Sequence, residues 1–395
     1  MARMLAKPAT VAWALLGLAL IFFPYFHTWA GFSWFLDNLA DTTGIGLGGR
    51  FGVFQMTTLG VWLVILTGLN ILTGYSGQIS LGHGAFVAAG AYIVAILLDQ
   101  TATPLAVAVL AGGVATAALG LAIGVPSLRL TGPYLAIATL AVVVAMPQFL
   151  KWDKVSEWTG GATGIDLPSA KVPGLVDGFM DDSQWLYYSV MVPAVIMTVL
   201  AWNLTRSRFG RAFIALRDSE IGAQQMGVNI ALYKTLAFGI SALYAGVGGG
   251  LFAYTQDFVA PESFGVFQSI QFLVVIVIGG LASILGSILA AIFFTFQSGV
   301  IARVAEVIPG VERLRWAIFG GALILIMITL PSGTAGITRQ LPKLRPGSVI
   351  AALRPSAWSG LVRSLREHPL VQRTLGARKQ DQSGDRDEGG DDGTA

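Results

Sequence analysis

The chain has 395 residues, 54% of them hydrophobic and only 12% charged, with a mean hydropathy of +0.69. Soluble domains carry roughly 25% charged residues, so the composition excludes a soluble globular domain, and apolar runs of about 20 residues point to membrane-crossing helices rather than barrel strands. The absence of cysteine excludes disulfides, cysteine-ligated metals and a cysteine nucleophile, and a net charge of only +3 makes the distribution of charge the informative quantity.

Arg3 and Lys7 precede an apolar run at 11–29, read as a retained first span because no small-residue cleavage site follows it. Residues 30–50 are polar and glycine-rich. Span two covers 51–72 and span three 79–98, joined by the glycine-rich stretch Gly74 to Phe86. Span four, 104–125, opens at Pro104 and stops at Pro126. Span five covers 133–150. The loop 151–185 that follows carries three lysines against six carboxylates. Span six, 186–204, leads into a loop at 205–230 that holds Arg206, Arg208, Arg211 and Arg217. Span seven is 232–254. The apolar stretch 267–301 is too long for one crossing and splits at Gly279-Gly280 into 267–281 and 284–301. The last span, 314–330, ends at Pro331. The expected domains are a permease domain, 1–338, and a basic then acidic tail, 339–395, low in complexity and largely disordered.

Charge parity supports this division. With a basic N-terminus inside, about ten spans put the acidic 151–185 loop outside, and put the arginine-rich 205–230 loop and the basic tail inside, as the positive-inside rule requires. Both termini are then cytoplasmic. The fold class is all-α: a polytopic helix bundle, compatible with a five-plus-five inverted repeat. The 49 glycines suit closely packed membrane helices.

Absences narrow the function. No lysine follows a glycine, so the chain has no phosphate-binding Walker A loop. The three histidines, His27, His83 and His368, are scattered, so neither a metal site nor a catalytic cluster is expected. The span centres lack Asp and Glu, which disfavours a proton-coupled transporter and suggests that energy arrives from another chain. Nothing in the pattern points to nucleic acid.

The basic loop has two readings. Arg206, Arg208 and Arg211 can simply anchor a helix end to anionic lipid. The second half, from Asp218-Ser219-Glu220 to Gly227, reads as a short capped helix with Ile221 and Met226 as apolar knobs. Such a helix suits insertion into a groove on a partner. The Gly74–Phe86 stretch also has two readings. Its glycines, Gly82 and Gly84 among them, can serve close packing. Alternatively, the stretch is unwound, with Gln78, Ser80 and His83 lining a pathway. Thr159, Gly160, Gly161 and Gly164 form either a plain turn or an outer contact surface. Gly279 and Gly280 read first as a helix break and second as pathway residues.

Five stretches together resemble the permease subunits of branched-chain amino-acid ABC importers, the LivM-like family. They are GYSGQISLGHGAF, GPYLAIATLA, TGGATGIDLP, RSRFGRAFIALRDSEIGAQQMGVN and SFGVFQSIQFLVVIVIGGLASILGSILAA, in the family's order. The resemblance departs at Gly84, at Pro133 and over Ser332 to Gly336. It implies an inner-membrane permease without its own ATPase and with no cofactor of its own. ATP and magnesium would sit on two ATP-binding subunits. A LivH-like second permease subunit would complete the pore, and an extracytoplasmic solute-binding protein would deliver the solute. By the same resemblance Arg217, Asp218, Glu220, Ile221, Ala223, Gln224, Met226 and Gly227 form the element coupled to the ATPase, and the solute is a branched-chain amino acid or, in the same architecture, urea, a short amide or another small organic solute.

Overall fold

The computed structural model describes residues 24, 49–101, 103–127, 130, 132–172, 180–307 and 320–321. All belong to the unit Met1–Gly336; the tail, Ile337–Ala395, lies outside the described residues. So do Arg129, the expected last span apart from Gly320 and Gly321, and the expected first span apart from Pro24.

The apolar runs within the described residues fold as helices. We label them α1 (Gly49–Leu69), α2 (His83–Thr101), α3 (Leu105–Ser127), α4 (Pro133–Leu150), α5 (Asp153–Thr159), α6 (Asp182–Arg206), α7 (Arg208–Asp218), α8 (Glu220–Gln225), α9 (Ile230–Gln256), α10 (Val266–Gly279) and α11 (Ile284–Val307). Caps explain where the sequence boundaries shift. α6 begins four residues ahead of the expected 186, where the Gln184 side chain reaches back to accept from the Asp181 N–H at 3.2 Å. α9 starts at Ile230 because the Asn229 side chain accepts from the Leu232 N–H at 3.1 Å. Pro126 sits inside the last turn of α3 rather than stopping it.

α9 is the centre of the bundle. Its buried face packs on α1, α2 and α3, and it also meets α6 and α7. Small residues set the separation: a Cβ at Gly90 of α2 would lie 2.3 Å from the Gly246 backbone of α9. Backbone meets backbone there, which is the close approach that small residues permit between membrane helices. α3 and α6 leave apolar faces outward, with Leu110, Val114, Ile196 and Val199 all exposed, as suits lipid-facing positions.

Among the described residues five helices are long and apolar enough to cross a membrane, or six if the pair α4–α5, bent by 78°, is counted as one span. Val266–Gly279 and Ile284–Gln297 are shorter apolar helices. At 14 residues α10 is about 21 Å long, short of the roughly 30 Å hydrocarbon core. The ten-span count therefore depends on treating α10 and α11 as separate crossings and on two spans outside the described residues.

The described residues of both long loops are structured. α6 runs from the end of the 151–185 loop to the start of the 205–230 loop, so the two lie at opposite ends of the bundle. At the first end, a two-stranded antiparallel ladder joins β1 (Ile165–Asp166) to β2 (Phe258–Val259), with Ile165 opposite Val259. The Lys151 ammonium there pairs with Glu262 in the 3₁₀ turn Pro261–Phe264.

Candidate functional site

The 205–230 loop is built of two helices, α7 and α8. α6 turns sharply into α7 at Ser207, whose side chain accepts from the Phe209 N–H at 3.1 Å. α7 is amphipathic: Ala212, Phe213 and Leu216 are buried, and Phe213 packs against Tyr233 of α9 at 6.2 Å between ring centroids. Arg208 and Arg211 lie on the exposed side, and the Arg206 guanidinium stacks over the Trp202 ring at 4.0 Å. α7 thus docks by an apolar face, with its arginines around the rim.

The short helix is α8. Ser219 caps it, accepting from the Gly222 N–H at 3.1 Å. Gly227, at φ 82°, reverses the chain after it, and the Val228 N–H donates to the Ala223 carbonyl at 3.0 Å. Two sequence expectations change here. Arg217 and Asp218 end α7 rather than starting the short helix, because Ser219 is extended, at φ −161° and ψ 114°. Ala223 is turned inward, 3% exposed. What α8 presents outward is Ile221 at 73% exposed and Met226 at 86%, flanked by exposed Gln224 and Gln225. A recess of about 460 Å³ beside it is lined by Gln224, Gly227, Val228, Asn229, Ile230 and Ala231.

Polar contacts tie α7 and α8 to the chain interior. The Glu220 carboxylate pairs with the Lys234 ammonium at 2.6 Å, and Lys234 is only 7% exposed. Nε and Nη2 of Arg217 both donate to the Asp218 Oδ1, at 3.1 and 3.0 Å, while Nη1 donates to the Gly74 carbonyl at 3.2 Å.

That carbonyl belongs to the other candidate stretch. α1 does not end as an ordinary helix; Asn70–Tyr75 widens into a π-turn, and the chain is non-helical until α2 begins at His83. Widened turns of this kind recur at functional sites. Three hydrogen bonds hold the break between α10 and α11 against it. The Asn70 side-chain amide donates to the Ser283 carbonyl at 2.8 Å and to the Ser287 hydroxyl at 2.9 Å, and its oxygen accepts from the Ala282 N–H at 2.9 Å. Gly280 lies at φ 111° and Ala282 at φ 55°. The fold therefore brings the glycine-rich stretch and the Gly279-Gly280 break together, far apart as they are in the chain.

The other candidates along this stretch are packed side chains. Gln78, Ser80, Gly82, His83 and Gly84 are all buried. The His83 Nε2 lies 3.0 Å from the Ile65 carbonyl, and its ring meets Phe272 edge-on at 6.4 Å. A Cβ on Gly84 would come within 2.3 Å of the Ser269 hydroxyl, and one on Gly82 within 2.6 Å of the Thr139 carbonyl. Gln78 donates through Nε2 to the Lys234 carbonyl at 3.4 Å.

At the far end Thr159 is buried, its hydroxyl donating to the Leu150 carbonyl at 2.6 Å, and Gly160, Gly161 and Gly164 all have positive φ. They form a tight turn behind α5, locked to β2, since a Cβ on Gly164 would lie 2.3 Å from the Val259 carbonyl. Asn70, Lys234, Ser283 and Ser287 were missed from the sequence. Asn70 and Lys234 carried a usable signal, as polar groups inside apolar runs.

Residues 52–328 match the family model described as the permease component of the branched-chain amino acid transport system. The LivM permease protein of the high-affinity branched-chain amino acid transport system is 34% identical in Salmonella typhimurium, over 73% of this chain and 70% of the relative. The LivM protein of Escherichia coli is also 34% identical, over 75% of this chain and 73% of the relative. The LsrC permease protein of the autoinducer 2 import system of Salmonella paratyphi B is 27% identical over 42% of this chain and 50% of its own. No solved structure matches.

Proposed function

The chain belongs to the family of branched-chain amino acid transport permease components, as a polytopic all-α membrane protein, and from that premise we propose that it is one of two pore-forming subunits of an ATP-driven importer. Its energy comes from two separate ATP-binding subunits docked at α7 and α8. The observation that carries this reading is α8: a capped helix between two spans, with Ile221 and Met226 projecting into solvent beside a recess. An apolar side chain costs about 1.5–3 kcal/mol to leave exposed rather than buried, so one on this six-residue helix and a second at its C-cap suit a surface that a partner covers. The outer partner is a solute-binding protein reaching the 151–185 loop, where Gly160, Gly161 and Gly164 present a rigid turn. The second pore subunit is LivH-like. The 205–230 loop and both termini face the cytoplasm of a bacterial inner membrane, following the charge pattern. ATP and magnesium belong to the docked subunits. The motor drives the pore by binding its two conformations with different affinity.

The solute is a branched-chain amino acid. The partial likeness to LsrC, whose name concerns a different solute, favours a second reading in which the same architecture carries another small organic molecule. Proteoliposomes holding the chain, the second permease and the ATP-binding subunits decide the matter. Leucine uptake should require ATP and the solute-binding protein together. Uptake that continues without ATP or without partners refutes the proposal. ATP-dependent uptake of urea or an amide in place of leucine selects the second reading.

A further inference from the structure

We propose that Arg217, at the end of α7, is a positioning residue that ties the α7–α8 corner rigidly to the Gly74–Gln78 turn, so that displacement of that corner by its partner is delivered to the widened end of α1. The inference rests on the docking assigned above to α7 and α8, and adds the route by which that contact reaches the membrane interior.

Three observations carry it. First, all three nitrogens of the Arg217 guanidinium are engaged. Asp218 takes two of its donors on one oxygen and so orients the guanidinium, leaving Nη1 for the Gly74 carbonyl. A lysine, a single point charge, cannot hold both partners in one geometry. Second, the contact has no slack. A Cβ on Gly77 would lie 2.7 Å from the Arg217 Cγ and 3.2 Å from its Cβ, so the bare glycine backbone rests on the arginine stem. Gly77 also sits at φ 76°, a conformation that favours glycine. Third, a second strap runs parallel. Glu220 of α8 pairs with Lys234, whose carbonyl accepts from Gln78 at the far end of the same turn.

The turn is equally stiff on its inner side. A Cβ on Gly74 would lie 2.0 Å from the Asn70 Oδ1 and 2.5 Å from the Ala282 nitrogen. Motion received at Gly74 therefore reaches Asn70 and, through its three hydrogen bonds, the break between α10 and α11. Close-packed elements transmit displacement because they have few arrangements between which to move. A purely local role for Arg217, as a cation near the C-terminus of α7, requires neither the Gly74 bond nor the Gly77 contact.

The chain contains no cysteine, so an introduced pair is unique. A Cβ added at Gly77 would lie 3.2 Å from the Arg217 Cβ, slightly closer than the roughly 3.5–4.5 Å of ordinary disulfides and within a small shift of it. The test uses the assembled complex in proteoliposomes, with Arg217→Ala and with the pair Gly77→Cys/Arg217→Cys. Compared with wild type at equal amounts of assembled complex, Arg217→Ala should lower leucine uptake per ATP about tenfold, the scale of one lost hydrogen bond to a charged group. The reduced cysteine pair should show the same defect, and oxidation should reverse it. Disulfide yield should be equal in nucleotide-free and vanadate-trapped complexes, an arm that needs no knowledge of the solute. Normal uptake per ATP in Arg217→Ala, inhibition by oxidation, absence of the disulfide or a yield that drops on trapping each overturns the rigid tie. Loss of co-purification in Arg217→Ala also overturns it, by assigning Arg217 to docking. A wild-type chain that fails to bind its ATP-binding subunits refutes the docking reading itself.

Discussion

Asn70→Ala tests whether the end of α1 holds the break between α10 and α11. The substitution removes the two donor bonds to Ser283 and Ser287 and the acceptor for the Ala282 N–H, all three at 2.8–2.9 Å. Polar contacts between membrane helices average about 0.6 kcal/mol and reach about 1.7 kcal/mol each. Three such bonds give about 2–5 kcal/mol, with the upper end favoured because the Ala282 N–H and the Ser283 carbonyl lose a partner at a helix break. Ser287→Ala, which deletes one bond of the three, should cost only about 0.6–1.7 kcal/mol. The measurement is equilibrium unfolding of the full chain in mixed micelles titrated with SDS. A loss below about 0.5 kcal/mol for Asn70→Ala, or a loss equal to that of Ser287→Ala, refutes the clamp, since either result means that the break is held by something else.

Ile221→Ser and Met226→Ser should leave stability within about 0.5 kcal/mol, because both side chains are exposed, yet weaken binding of the ATP-binding subunits about tenfold each if they are central anchors; titration by fluorescence anisotropy reads the difference. Gly90→Val should destabilise the bundle by about 1–3 kcal/mol or more, since its Cβ would meet the Gly246 backbone. Gly227→Ala meets nothing within 4 Å and should cost only the roughly 1–2 kcal/mol of a left-handed residue with a side chain. Both are read by the same unfolding titration. The hydrogen bond from Lys151 holds the Glu262 carboxyl below its ordinary value of 4.5, so the ion pair stabilises the outer loop above that value and is lost as pH falls through the lowered one. A spin label on Ser263→Cys should therefore loosen only in acid, and with Lys151→Met it should be mobile at every pH; an unchanged spectrum in Lys151→Met would show that the pair restrains nothing.

The helices were legible because each is written in consecutive residues. Runs near 20 apolar residues define the spans, and Pro133 and Gly227 mark ends that the structure keeps within a residue or two. The split at Gly279-Gly280 was also legible, since glycine pairs interrupt an apolar helix. Helix α7 was not. Its arginines suggested a lipid anchor, while the face that matters, Ala212, Phe213 and Leu216, shows only when laid on Tyr233 of α9. The resemblance placed Ala223 and Arg217 in the coupled element, but only the fold shows that the first is buried and the second reaches back to Gly74.

The sequence alone determined the class of molecule: an all-helical membrane chain, free of a nucleotide loop, with its basic loop on the side opposite its acidic one. Those properties depend on composition, period and sign, which are local or summed quantities. Only the tertiary structure decided which polar groups meet. Asn70 and Ser283, or Arg217 and Gly74, are separated by 213 and 143 residues. Their pairing follows from close approaches at glycines, Gly74 against Asn70 and Ala282 and Gly77 against the Arg217 stem, and contacts of that kind depend on several segments at once, which no single stretch of sequence contains.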